Sequence, residues 1–107
     1  MTPINQIDVN KVKELKDKGP TTIVDIRDPA SFRAGHIPNA INLSDNPVEQ
    51  FTNDTNKNKL LVVYCYHSIS SQGAAAYFSE QEFKEVSSMI GNFGAWRSAF
   101  PNSVRKA

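Results

Sequence analysis

The 107-residue chain has a single cysteine, Cys65, so no disulfide within the chain and no multi-cysteine metal site can form. Its two histidines, His36 and His67, lie far apart in sequence and make a poor substitute ligand set, so no metal and no cofactor is expected. Neither sign of charge is in excess: twelve basic against eleven acidic residues leave a net +1, and the lysines and arginines are scattered rather than gathered into a stripe. The electrostatic footprint of a nucleic-acid binder is therefore missing. No apolar run approaches the roughly 20 residues of a membrane-spanning helix. The opening MTPINQIDVN has neither the basic nor the apolar segment of a secretory signal. These absences lead us to expect a soluble cytoplasmic protein, with neither membrane nor nucleic acid among its partners. The length suits one domain over residues 1–107, and no repeat or linker divides it.

What is present centres on Leu60 to Ser71, LLVVYCYHSISS. Leu60 to Tyr64 is apolar without alternation, which predicts a strand covered on both faces inside a parallel sheet. Ser70 to Phe78 suits a helix, with Ser70 as a plausible N-cap. Cys65 is thus placed at the carboxyl end of a strand, where open α/β sheets bind ligands. The intervening loop from Tyr66 to Ile69 can point backbone N–H groups inward as an anion cradle, and the following helix start adds a field that favours negative charge. A lone cysteine is more often a packed core residue than a nucleophile. Its position between strand and helix changes that reading.

The rest alternates strand and helix. Ile7 and Val9 close a short first strand, followed by a lysine-rich helix with Val12 and Leu15 on one face, Asp8 or Asn10 as cap, and Gly19 and Pro20 as stop. Thr21 to Ile26 reads as a second buried strand that ends in Asp25, Arg27 and Asp28. Asp28 and Pro29 open a helical turn to Arg33, Gly35 to Asn39 forms a turn, and Ala40 to Leu43 is a short strand. Ser44 to Pro47 announces a short helix through Phe51, and Asn53 to Lys59 is a polar loop. Glu85 to Ile90 offers a last strand weakened by paired serines. Phe93, Trp96 and Phe100 then form the packed stripe of a helix that Pro101 terminates. The pattern implies an α/β domain with a mostly parallel central sheet of about five strands flanked by helices.

Four segments together resemble the rhodanese family, in particular its short single-domain thiosulfate sulfurtransferases. They are VDIRDPASF at Val24 to Phe32, GHIPNAINL at Gly35 to Leu43, VVYCYHSISS ending at Ser71, and IGNFGAW at Ile90 to Trp96. The resemblance covers nearly the whole chain and implies a rhodanese-like fold. It implies that Cys65 carries sulfur as a persulfide and that Cys65 to Ser70 is the active-site loop. Substrate would be bound mainly by the backbone N–H groups of Tyr66, His67, Ser68, Ile69, Ser70 and Ser71, with the Ser70 and Ser71 hydroxyls adding hydrogen bonds. Thiosulfate is the implied donor and sulfite the product. The acceptor is cyanide in an assay and a thiol or dithiol in the cell, a protein such as thioredoxin among the candidates. A monomer or weak dimer is expected.

No Lys or Arg lies between Cys65 and Ser71, so a cation for the sulfonate must come from elsewhere, with Arg27 or Arg33 as candidates. The structural alternative is an ion pair for Arg27 and solvation for Arg33. His67 either supports the thiolate or faces solvent, and His36 is read as a structural turn residue. Two positions depart from the family: Ser68 stands where glycine is common, and Asn92 replaces the second of two glycines. Asparagine accepts the left-handed backbone region better than serine does. Two other activities are weighed. Related phosphatases and arsenate reductases carry an arginine six places after the cysteine, whereas this chain has Ser71 there. A catalytically silent rhodanese-like binding module is the rival from another class.

Overall fold

The computed structural model describes the backbone of residues 5–19, 21–43, 48–65 and 68–106, and their side chains except at 48, 49, 54 and 68–73. The apolar run forms β4 (Leu61–Tyr64), with all four residues fully buried. Leu61 and Val63 enter one core while Val62 and Tyr64 enter another, as a period of two dictates. Burial of a single aliphatic side chain contributes about 1.5–3 kcal/mol, so a strand covered on both faces gains from apolar residues at every position.

Around β4 lie β1 (Asn5–Ile7), β2 (Thr22–Asp25), β3 (Ile41–Asn42) and β5 (Val86–Met89). They form one parallel sheet in the order β1-β5-β4-β2-β3. The expected five-stranded parallel α/β architecture is what the chain adopts. Helices α1 (Val9–Lys18) and α5 (Asn92–Ala99) bring Val9, Val12, Phe93 and Trp96 to one face, where Phe32 of α2 (Pro29–Ala34) joins them. Helices α3 (Val48–Asp54) and α4 (Ser68–Glu80) cover the other face through Phe51, Ala75 and Phe78.

Local signals place most boundaries. Asp8, not Asn10, caps α1, its carboxylate accepting from the Lys11 N–H at 2.8 Å. Val9 consequently belongs to that helix rather than to the first strand. Asp28 caps α2 ahead of Pro29, as expected. The third helix runs past Phe51 into Asn53 and Asp54, residues that composition assigned to a loop. Tertiary packing carries this extra turn: Thr52 is buried, and the Phe51 ring meets Phe78 and Phe83. The expected helix start at Ser44 to Pro47 lies outside the described residues. The last strand, whose signal the paired serines weaken, forms as β5 between β1 and β4 with Ser87 and Ser88 buried.

The strand order also locates a crevice. The chain leaves β2 through α2 toward β3 on one side and leaves β4 through α4 toward β5 on the other. Neighbouring strands whose exits diverge open a cleft at their carboxyl ends. Residues Arg27 and Cys65 stand just beyond these two ends.

Candidate active site

Cys65 follows β4 directly, and its peptide is fixed by the start of α5. The Cys65 N–H donates to Asn92 Oδ1 at 2.8 Å, and the Cys65 carbonyl accepts from the Phe93 N–H at 3.3 Å. This clamp needs an unusual backbone. Gly91 and Asn92 are both left-handed, with φ of 79° and 54°. A Cβ at Gly91 would lie 2.5 Å from the Ala95 Cβ, so this position requires glycine for space as well as for conformation. Asn92 tolerates its φ, as asparagine does more readily than most residues, and its buried amide reaches back across the sheet end. The departure from a double glycine therefore has a structural use that the sequence did not show. The contact spans 27 residues and depends on the fold.

Cys65 itself is buried, at 4 % exposure. Tyr66 and His67 lie outside the described residues. Helix α4 begins at Ser68, two residues before the Ser70 cap expected from sequence. A serine at this place favours the right-handed helical region, which lets the helix reach further back than a glycine would encourage. The first N–H groups of a helix have no intrahelical acceptor. Those of Ser68, Ile69 and Ser70 fall in that first turn, with Ser71 next.

Beside Cys65, the end of β2 holds a sealed ion pair. Arg27 Nε lies 3.1 Å from both carboxylate oxygens of Asp25, and Arg27 Nη2 donates to Asp25 Oδ2 at 2.7 Å and to the Gly35 carbonyl at 2.6 Å. The two side chains are 3 % and 0 % exposed. The guanidinium also stacks on the Phe93 ring, 4.1 Å from its centroid. Burial pulls the Arg27 pKa down, but the hydrogen bonds and charge of Asp25 outweigh it and the net shift is upward. Tyr64 completes the layer, its hydroxyl accepting from the Ile37 N–H at 3.2 Å. Burial, and after it the Asp25 charge, raise the Tyr64 pKa, so it remains a neutral phenol at physiological pH. Of the two roles weighed for Arg27, the geometry displays the ion pair. Asn42, which sequence reading passed over, donates from Nδ2 to the carbonyls of Arg27 and Asp25 at 2.8 and 3.2 Å.

The remaining candidates are quickly placed. Arg33 is exposed in the last turn of α2. His36 stacks on Phe32 with ring centroids 3.8 Å apart, and its Nδ1 lies 2.7 Å from the Phe32 carbonyl. A carbonyl only accepts, so Nδ1 carries a proton. Among the described residues no group of His, Cys, Asp and Glu could hold a metal ion. No helix among them is long and apolar enough to cross a membrane.

Comparison with known proteins bears on the family and the fold. The Rhodanese-like domain family matches residues 8–99. The chain is 42 % identical over 100 residues to a thiosulfate sulfurtransferase GlpE of Pseudoalteromonas translucida, covering 94 % of this chain and 95 % of the relative. It is 39 % identical over 104 residues to the protein of the same name in Pseudomonas syringae, covering 97 % of each. Among solved structures, a Bacillus halodurans protein superposes with a TM-score of 0.80 at 27 % identity, covering 95 % of this chain and 77 % of that one. The rhodanese-like domain of an Anabaena protein gives 0.82 at 24 % identity, covering 100 % and 81 %, and speaks to fold alone. By fold and by sequence over nearly its whole length, the chain belongs to the rhodanese-like family.

Proposed function

We propose that this protein is a thiosulfate sulfurtransferase that carries sulfur on Cys65. In the first step the Cys65 thiolate attacks the outer sulfur of thiosulfate. The sulfur–sulfur bond of thiosulfate breaks, sulfite leaves with the electron pair, and Cys65 becomes a persulfide. In the second step a nucleophile attacks the terminal sulfur, the Cys65 Sγ–S bond breaks, and the thiolate returns. With cyanide the product is thiocyanate; a thiol or dithiol, thioredoxin among them, takes the same sulfur in the cell. Donor, persulfide and leaving group are all anions, so the chemistry needs fixed positive dipoles more than it needs an acid or base. The N–H groups from Tyr66 to Ser71 are our candidates for that role, and Ser70 and Ser71 can add hydroxyl donors. A lone thiol that must stay reduced between turnovers fits the cytoplasm.

One observation carries this reading: the only cysteine stands at the divergence of β2 and β4, its peptide clamped by Asn92 and Phe93 and the start of α4 three residues on. The relatives' names point the same way. Arg27 enters as a positioning residue, since its guanidinium already bonds Asp25 and Gly35. The test is steady-state release of sulfite from thiosulfate with cyanide as acceptor, for wild type and Cys65→Ser. Turnover that vanishes in the variant supports the proposal. A folded protein with no turnover supports the silent module, and Cys65-dependent hydrolysis of p-nitrophenyl phosphate would favour the phosphatase reading despite Ser71.

A further inference from the structure

Between α2 and α5, beneath the C-terminal segment, lies a groove of about 590 Å3. That is the size of an ordinary small-molecule site, within the roughly 300–1,000 Å3 that such pockets occupy. Its apolar part comes from Phe93, Pro101 and Val104, and its polar part from Ser31, Arg97 and Lys106, with the sealed Arg27 behind. No acidic residue is among the described residues that line it. In a chain with nearly equal numbers of basic and acidic residues, this is a local excess of positive charge. Arg27 is neutralised by Asp25, whereas Arg97 and Lys106 are exposed and form no ion pair with a described residue.

The wall that the C-terminal segment provides is already tied in place. His36 and Arg105 exchange backbone hydrogen bonds, each 2.9 Å long, and the Trp96 indole N–H donates to the Ser103 carbonyl at 2.8 Å. The floor is open at Gly94, where an added Cβ would meet nothing within 4 Å. A pre-formed groove with an apolar part and two cations unpaired among the described residues suits a ligand with an apolar body and a negative head. We propose that this groove binds a small organic anion, a carboxylate or sulfonate on an apolar body, at a site separate from the Cys65 cradle. The occupant lies against Pro101 and Val104, beside the buried edge of Phe93, whose own N–H holds the Cys65 carbonyl. Inorganic anions alone leave the apolar part unfilled and bind weakly.

The test is a titration followed in isotope-labelled amide spectra, with phenylbutyrate as the probe and its neutral amide as the control. Saturable shifts confined to Phe93, Gly94, Arg97 and Val104 are expected with the carboxylate, and at least about tenfold weaker binding of the amide, the ratio that one modest charge contact supplies. The double variant Arg97→Glu and Lys106→Glu loses the carboxylate preference. Gly94→Leu blocks the groove while leaving both cations in place and removes the shifts. Equal binding of acid and amide, shifts unchanged by charge reversal, or shifts clustered around Cys65 would overturn the proposal. No step of this test uses sulfurtransferase turnover, so its result and that of the assay above are independent.

Discussion

The carboxyl ends of β2 and β4 are neighbours in register, Asp25 opposite Tyr64, yet they serve different ends. At β2 the charged groups face each other: carboxylate, guanidinium and carbonyl close a network that leaves 3 % or less of either side chain to solvent. At β4 the backbone N–H and carbonyl of Cys65 are held from behind by Asn92 and Phe93, so what is fixed there is the peptide that carries the cysteine rather than a pair of charges. Charge in a cleft is thus no guide to chemistry on its own. What matters is whether the partners of the charge already lie within the fold.

Four substitutions sharpen or break this contrast. Cys65→Ser has the largest effect on turnover, a loss of at least about a thousandfold as for other nucleophiles. Its urea-unfolding stability changes by no more than about 2 kcal/mol, within the range of ordinary core substitutions. Asp25→Ala gives the opposite profile, because Arg27 is left as a buried charge without its partner. Removing one member of such a pair costs about 3–5 kcal/mol, read as a lower midpoint in urea. Should Cys65→Ser prove the more destabilising of the two, the contrast fails.

Gly91→Ala comes next. Its left-handed φ and the 2.5 Å approach to Ala95 put the expected loss at about 2 kcal/mol or more. Turnover per folded molecule falls as well, because α5 can no longer hold the Cys65 peptide; unchanged turnover would detach the clamp from the chemistry. Gly94→Ala is the control on the same helix. Nothing obstructs a Cβ there, so unfolding stability rises by up to about 1 kcal/mol and sulfite release stays as it was.

The sheet was legible because its central strand has no polar residue between Leu61 and Tyr64, and only a strand packed on both faces tolerates that. The address of Cys65 followed from the same alternation of strand and helix. The Asp25–Arg27 pair was half legible: two charges two residues apart near a strand end share a side and can meet. That Gly35 and Phe93 would enclose them was not, since those partners come from other elements. Asn92 could be marked as a departure from a glycine pattern, but its bond to Cys65 requires both the left-handed turn and the meeting of β4 with α5. The reach of α3 through Asp54 was hidden because Phe51 and Thr52 draw it into the core against the polar composition of its last turn.

The most direct test of the central claim, that Cys65 carries the transferred sulfur, is intact mass after exposure to thiosulfate alone. A gain of about 32 Da, one sulfur atom as in other persulfides, is expected on the wild-type protein. Cyanide should remove it, and Cys65→Ser should never acquire it. The same gain on the Cys65→Ser variant, or its absence from wild-type protein that releases sulfite, would contradict the account.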